Sequence, residues 1–176
     1  MILNGSPRKG NTAALIAAFT EGARAAGNTV TRFDLRTMTI HPCRGCMAGG
    51  KDPKSPCTQK DDMDQIYPVY RECDVVVFAS PLYFWTISGQ LKCALDRMYA
   101  LEESDGRPRK EAALLMAAEG DAFEAATDFY DFLIQKLKWK DLGKVLASGA
   151  RTLHSVRENP EQMSAARKLG KTIGDE

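Results

Sequence analysis

Short apolar runs alternate along the chain with longer stretches in which apolar residues recur about every four positions, the pattern of strands followed by helices. The apolar runs predict strands over 1–3, 29–34, 74–79, 112–117 and 144–150. The periodic stretches predict helices over 12–26, 61–72, 88–101, 122–138 and 160–173. This alternation predicts an α/β fold: a doubly wound five-stranded parallel sheet with helices on both faces, forming a single domain over 1–176.

Composition and charge narrow the possible partners. The net charge of +1 gives no footprint for nucleic acid or an anionic membrane, and no apolar run approaches the ~20 residues of a membrane span. The first twelve residues turn polar too early for a signal peptide. Five cysteines, an odd number in a chain that can bury a core, indicate reduced thiols and a cytoplasmic protein.

The loop after the first predicted strand has the composition of an anion cradle. It reads Gly5-Ser6-Pro7-Arg8-Lys9-Gly10-Asn11-Thr12 and leads directly into a helix, whose first amides carry partial positive charge. The glycines allow close backbone approach, and Ser6, Arg8, Asn11 and Thr12 add donors and charge. The spacing matches neither the nucleoside-triphosphate loop nor the dinucleotide fingerprint. The loop predicts a phosphate monoester site, the alternative being a capped helix after a polar turn.

The loop after the third predicted strand contains three consecutive aromatic residues. Tyr83, Phe84 and Trp85 follow Pro81, and Ser88 is placed to cap the next helix. A flat, amphipathic isoalloxazine ring needs such a stacking surface, although these aromatics could also close the core or form a dimer contact. The fourth predicted strand ends near Glu119 and Gly120, which indicates either close approach of a ligand or an ordinary turn.

Three runs carry a family resemblance: NGSPRKGNT, DDM and SPLYFWTISGQLKCALDR. They resemble the NADPH-dependent FMN reductase group of the flavodoxin-like superfamily, and more narrowly its iron–sulfur flavoprotein branch. The resemblance implies FMN with NAD(P)H as co-substrate, and a homodimer or homotetramer. It places the phosphate on the first loop, the ring on the third and the ring edge on the fourth. The implied cofactor-binding residues are Ser6, Arg8, Asn11, Thr12, Pro81, Leu82, Tyr83, Phe84, Ser88, Glu119 and Gly120.

The long predicted loop over 38–60 departs from the cluster-bearing relatives. Those relatives carry a C-x2-C-x2-C motif and a fourth cysteine, whereas this chain has Cys43, Cys46 and Cys57, with Gly49 in place of the third cysteine. A [4Fe–4S] cluster takes four thiolates, so neither a cluster nor a metal site is expected. We favour a structural or substrate-covering loop; a reducible disulfide, a zinc or incomplete-cluster site and a loop that has lost its metal stay open.

These observations lead to one hypothesis with two alternatives. The chain is expected to be an oxidoreductase that passes electrons from NAD(P)H through bound FMN to a small acceptor such as a flavin or quinone. Because the cofactor performs this chemistry, no catalytic side chain is predicted. The alternatives are a flavodoxin-type electron carrier, which the net charge of +1 disfavours, and a redox- or metal-sensing flavoprotein that uses the Cys43/Cys46/Cys57 loop.

Overall fold

The computed structural model describes residues 1–50, 52, 55–101 and 109–174. Within these residues the strands are β1 (Ile2–Asn4), β2 (Arg32–Asp34), β3 (Val75–Pro81), β4 (Glu111–Ala117) and β5 (Lys140–Ala147). The helices are α1 (Asn11–Ala25), α2 (Met63–Glu72), α3 (Gly89–Arg97), α4 (Glu124–Leu137) and α5 (Pro160–Lys171). A short 3-10 helix spans Leu35–Thr37.

The strands form one parallel sheet in the order β2-β1-β3-β4-β5. This is the strand order of flavodoxin-like doubly wound sheets, so the predicted fold class is confirmed. The central strands β3 and β4 are buried along nearly their whole length, which explains why their sequences are apolar without interruption.

Two predicted boundaries differ from the structure for physical reasons. The fifth strand starts at Lys140, four residues before the predicted start, because β5 is an edge strand whose outer positions can be polar. The third helix ends at Arg97 rather than continuing unbroken to 101, since Met98 leaves the helix and its amide donates to the Leu95 carbonyl.

Each face of the sheet has its own core. On one face, Val76 and Phe78 of β3 pack beneath helices α2, α3 and α4. On the other, Val77 and Ala79 pack beneath α1 and α5. The alternation along β3 thus supplies both cores, as the pleat of a strand requires.

Helices α1 and α5 touch through their backbones. A Cβ added at Gly22 would lie 2.0 Å from the carbonyl oxygen of Arg167, and one added at Gly170 would lie 2.1 Å from that of Phe19. Neither distance leaves room for a methyl group, so two glycines set the spacing of the helices on this face.

A buried arginine anchors the long segment 38–62 to α3. The Arg97 guanidinium donates two hydrogen bonds to the Asp61 carboxylate, at 2.6 and 3.1 Å. It also donates to the carbonyl oxygens of His41 at 2.9 Å and Gln59 at 3.3 Å. Arg97 is only 1% exposed, so one buried cation holds both ends of the segment.

We expect Gly22→Ala to destabilise the protein strongly. The added methyl would overlap the Arg167 carbonyl, and separating α1 from α5 should cost about 1–3 kcal/mol or more of the free energy of unfolding. Gly89→Ala is the matched control, because a Cβ at this helical position meets no atom within 4 Å. Urea unfolding measures both variants, and equal stability in the two would contradict the backbone contact.

The Asp61–Arg97 pair should make stability depend on pH in the acid range. Burial alone raises the pKa of Asp61, but hydrogen bonds from Arg97 and from the amides of His41 and Met63 outweigh it and lower this pKa from 3.8 to about 2. The unfolded chain therefore takes up the proton first as the pH falls. The pair's contribution is complete above about pH 5 and is lost progressively towards pH 1, an effect of about 2 kcal/mol.

Unfolding measured across this pH range tests the assignment. In Asp61→Asn the pH-dependent component should vanish, and stability at neutral pH should fall by about 3–5 kcal/mol because Arg97 stays buried without its counter-ion. The control Asp96→Asn removes an exposed carboxylate from an ion pair with Lys92 and should behave like the wild type. A wild-type pH slope that survives in Asp61→Asn would assign it to other groups.

Candidate functional site

Loops that follow four of the strands meet at the carboxyl edge of the sheet and enclose two adjoining cavities. A polar cavity of about 290 Å³ lies at the start of α1, and an aromatic cavity of about 370 Å³ lies beside the loop after β3. Leu82, Ala118 and Glu119 line both cavities, so the two spaces share a wall. Ligands of doubly wound sheets bind at this edge, where the strand order reverses between β1 and β3.

Most of the predicted site residues come together here. The polar cavity is lined by Ser6, Arg8, Asn11, Thr12, Pro81, Leu82, Tyr83 and Glu119, and the aromatic cavity by Leu82, Phe84, Glu119 and Gly120. Of the predicted set, Ser88 is the one residue that lines neither cavity.

The first loop is shaped by its own hydrogen bonds. Ser6 Oγ donates to the Arg8 carbonyl at 3.0 Å and accepts from the Arg8 amide at 3.3 Å. The Ser6 amide donates to Asn4 Oδ1 at 3.1 Å. These bonds turn the chain away from β1 and bring Arg8 to the rim of the polar cavity.

The start of α1 offers the polar cavity free helix-start donors. The N-cap residue is Gly10, no side chain caps the first amides, and the first turn carries no acidic residue. The first amides of a helix have no partner within it and carry partial positive charge. An anion in the polar cavity can therefore satisfy these donors, with Arg8 at the rim adding a full charge.

Ser88 joins the first and third loops instead of facing a ligand. Its hydroxyl donates to the Gly5 carbonyl at 2.7 Å and accepts from the Leu91 amide at 3.3 Å, so the predicted capping role is confirmed. The Ser88 amide donates to Ser80 Oγ at 2.8 Å. A Cβ at Gly5 would lie 2.5 Å from Ser88 Oγ, so only glycine permits this contact.

The aromatic residues of the third loop form a strained, exposed turn. Tyr83 and Thr86 exchange two backbone hydrogen bonds, at 3.0 and 3.1 Å, around Phe84 and Trp85. Both central residues have positive φ, 46° and 59°, which costs a residue other than glycine about 1–2 kcal/mol. Phe84 is 93% exposed and Trp85 is 60% exposed. Strain and apolar exposure at one turn mark a functional rather than a stabilising element.

The residues that line the cavities but stand outside the predicted cofactor-binding set include Gly10, Trp85 and Arg151. Trp85 lies within the aromatic run that drew attention to the loop, so its signal was present. Arg151 follows β5 in an ordinary polar loop, and no spacing or composition distinguishes it from the other arginines.

The thiols of the segment 38–62 do not converge. No group of three histidine, cysteine or acidic side chains in the described residues is arranged to hold a metal ion. A Cβ at Gly49 would lie 3.3 Å from both the Ala100 Cβ and the Pro56 carbonyl oxygen, so a third cysteine would be crowded there. The residues present therefore do not fit a four-thiolate cluster.

Cys46 differs from the other cysteines of this segment in its surroundings. Its Sγ lies 3.6 Å from the Thr58 hydroxyl on the exposed surface. Hydrogen bonds from Thr58 and from the backbone of Ala48 lower the pKa of the Cys46 thiol. This environment favours the thiolate form of Cys46, which is the form in which a cysteine reacts or ligates a metal.

Comparisons with known proteins agree with this fold. An iron–sulfur flavoprotein of Archaeoglobus fulgidus is 36% identical over 95 residues, which cover 53% of this chain and 42% of that protein. The chain spans about half the length of most of the curated relatives it matches.

Solved structures of similar fold are more distant in sequence. An NAD(P)H:quinone oxidoreductase from Methanothermobacter marburgensis superposes with a TM-score of 0.75 at 19% identity, covering 99% of this chain and 95% of that one. An FMN-dependent NADH-azoreductase from Bacillus anthracis, solved in complex with FMN, has a TM-score of 0.70 at 13% identity and covers 99% and 98%.

A family model described as NADPH-dependent FMN reductase matches residues 1–150, which include every predicted site residue and all five strands of the sheet. On this match the chain belongs to the NADPH-dependent FMN reductase family.

Proposed function

We propose that the two adjoining cavities bind FMN and that the protein uses it to pass electrons from NAD(P)H to a small acceptor. The observation that carries the proposal is the pairing of the cavities. A polar space with uncapped helix amides lies directly beside an apolar space bordered by Phe84 and Trp85. This combination suits a ligand with a phosphate at one end and a flat ring at the other.

The polar cavity fits the phosphate of such a ligand. The amides at the start of α1 supply directed donors, and Thr12 adds a hydroxyl group on the cavity wall, whereas the one donor of the Ser6 hydroxyl is committed to the Arg8 carbonyl. Arg8 supplies a charge that can pair with a phosphate oxygen.

The aromatic cavity fits the ring. Leu82 and Ala118 provide an apolar wall, and the space beside Gly120 is open, since a Cβ there would meet no atom within 4 Å. Pro81 ends β3 and directs the chain into the aromatic turn. A large apolar surface with a few polar groups is typical of cofactor sites.

When bound, FMN supplies hydride acceptance and onward electron transfer, so the protein's task is to bind, orient and exclude water. Glu119, which lines both cavities, is placed to contact the ligand where the spaces join. No side chain of the site is required as a general acid or base.

The names of the relatives support a small redox acceptor. They include an NAD(P)H:quinone oxidoreductase and an FMN-dependent NADH-azoreductase. We therefore propose a flavin, quinone or similar molecule as acceptor for this chain. The flavodoxin-type carrier is less favoured because the net charge of +1 lacks the excess of acidic residues that would steer a basic partner.

We further propose that the protein is a homodimer or homotetramer, supported by the exposure of Phe84 and Trp85 at the site. Sedimentation of the FMN-loaded protein can determine this state. In the described part of the chain, no helix is long and apolar enough to cross a membrane. The cytoplasmic location stays a prediction from the cysteine content.

The visible absorption spectrum provides the direct test of function. Purified protein is mixed with FMN, freed of excess cofactor and then reduced with NADPH under anaerobic conditions. We expect retained flavin bands that bleach on addition of NADPH, because the site binds FMN and admits a nicotinamide. Riboflavin, which lacks the phosphate, is the control and should be retained more weakly.

Each departure from this result has its own meaning. Protein that retains no flavin would contradict the cofactor site itself. Retained FMN that NADPH and NADH both fail to reduce would contradict the reductase activity and favour an electron carrier.

We expect substitutions that relieve the strain in the aromatic turn to stabilise the protein and to weaken FMN binding. The double variant Phe84→Asn, Trp85→Gly places asparagine and glycine at the two positions with positive φ, where this kind of tight turn prefers them. We expect the free energy of unfolding to rise by about 1–2 kcal/mol, because the strain is relieved. FMN affinity should fall, because the apolar ring surface is lost. Urea unfolding and FMN titration measure the two effects.

Phe132→Leu is the control for this turn, because it removes an exposed aromatic ring from a position that lines neither cavity. Its stability and FMN affinity should stay close to those of the wild type. A double variant that is no more stable than the wild type would show that the turn stores no strain.

A further inference from the structure

We propose that Arg151 binds a phosphate monoester in the polar cavity and that Asn11 acts indirectly, by holding the loop that carries Arg151. The inference rests on the proposed function and adds to it a residue beyond the family match, which ends at residue 150.

The side chain of Asn11 is already committed to other partners. Its Nδ2 donates to the carbonyl oxygen of Thr152 at 2.6 Å and to that of Ala150 at 3.4 Å, and its Oδ1 accepts from the Val156 amide at 3.0 Å. An asparagine side chain has two N–H donors, and both are used here. Asn11 cannot donate to a phosphate without releasing the loop, so we assign it a positioning role instead of direct contact.

The same loop is fixed against its surroundings on both sides of Arg151. Towards α1, a Cβ at Gly10 would lie 2.9 Å from Leu153 Cδ2, so the loop packs directly on the helix start. Towards β4, the Gly149 amide donates to the Glu119 carbonyl at 3.0 Å, and the Ala150 amide donates to that of Ala118 at 2.9 Å. The backbone at Arg151 therefore has a defined position on the cavity rim.

The Arg151 side chain is available to a ligand. It lines the polar cavity, its side chain is 79% exposed, and its Nε lies 3.7 Å from Glu119 Oε1. An exposed ion pair at this distance contributes about 0–1 kcal/mol, so a phosphate dianion can displace Glu119 as the partner of Arg151. Arg8 and the residues at the start of α1 line the same cavity, so its lining carries two arginines against the single carboxylate of Glu119.

The ligand group recognised is a phosphate monoester. Two molecules of the proposed reaction carry one: FMN at its ribityl end, and NADPH on its adenosine ribose. Riboflavin and NADH are the matching molecules without that group, so each source has its own control.

The experiment compares Arg151→Ala and Arg151→Lys with the wild type. Dissociation constants for FMN and riboflavin come from flavin fluorescence, and KM values for NADPH and NADH come from steady-state reduction. If the phosphate of FMN is the ligand, Arg151→Ala should weaken FMN binding by about tenfold and leave riboflavin unchanged. If the phosphate of NADPH is the ligand, its KM should rise while that for NADH stays constant. Arg151→Lys should recover part of either loss.

Arg157→Ala is the matched control, since Arg157 is exposed on the same segment and lines neither cavity. It should leave all four constants unchanged. If Arg157→Ala weakened phosphate-dependent binding as much as Arg151→Ala does, the effect would come from the overall positive charge and the assignment of Arg151 would be overturned.

Asn11→Ala tests the positioning role. In the wild-type background it should reduce the preference for the ligand with a phosphate over its counterpart without one. In the Arg151→Ala background it should have no further effect, because Asn11 and Arg151 act through the same contact with the phosphate. Circular dichroism confirms that each variant folds. An equal effect of Asn11→Ala in both backgrounds would show that Asn11 contacts the ligand directly, against the inference.

The outcomes separate this inference from the proposed function. Wild-type protein that binds neither flavin contradicts both. The wild type could prefer FMN to riboflavin while Arg151→Ala keeps the same preferences for FMN and for NADPH. That result would overturn the role of Arg151 and leave the FMN site intact.

Discussion

The contact between Gly5 and Ser88 sets the geometry of the site. The backbone after β1 lies so close to the start of α3 that a Cβ at Gly5 would stand 2.5 Å from the serine hydroxyl. That hydroxyl joins the two loops, since it donates to the Gly5 carbonyl and caps the helix. The loops that line the polar and aromatic cavities are therefore held at one separation, and a ligand spanning both meets a preformed site.

Much of the fold could be predicted from the sequence because strands that are buried on both faces of the sheet have continuously apolar sequences. Strands β3 and β4 are apolar throughout, and the helix-forming stretches between strands repeat with the helical period, so order and direction are determined. The edge strand β5 left a weaker record. Lys140 and Asp141 are exposed there, and their polarity concealed the first half of the strand.

Site residues could be predicted from the sequence where several of them stand together in one loop of unusual composition. They could not be predicted where contacts with residues far away in the chain bring them to the site. Ser6, Arg8 and Thr12 stand together in a loop of unusual composition, and the structure brings them to one cavity. Arg151 lies at the same cavity on a loop that distant partners hold, among them Asn11, about 140 positions earlier in the chain, which bonds Thr152 and Val156. No local pattern records such a contact. The same limit applies to the cysteines, whose spacing does not reveal whether their sulfur atoms converge.

The Arg97 anchor has a consequence for how far the segment 38–62 can change without disturbing the sheet. One buried guanidinium holds the segment 38–62 near its two ends, through His41 on one side and Gln59 and Asp61 on the other. The chain between these ends contributes no strand or helix in its described residues, and it lines neither of the two cavities at the carboxyl edge. That stretch can thus change in length, lose a cysteine or acquire a new ligand set while the flavodoxin-like frame is inherited unaltered. The middle of the segment 38–62 can therefore vary in sequence while its two ends stay bonded to Arg97.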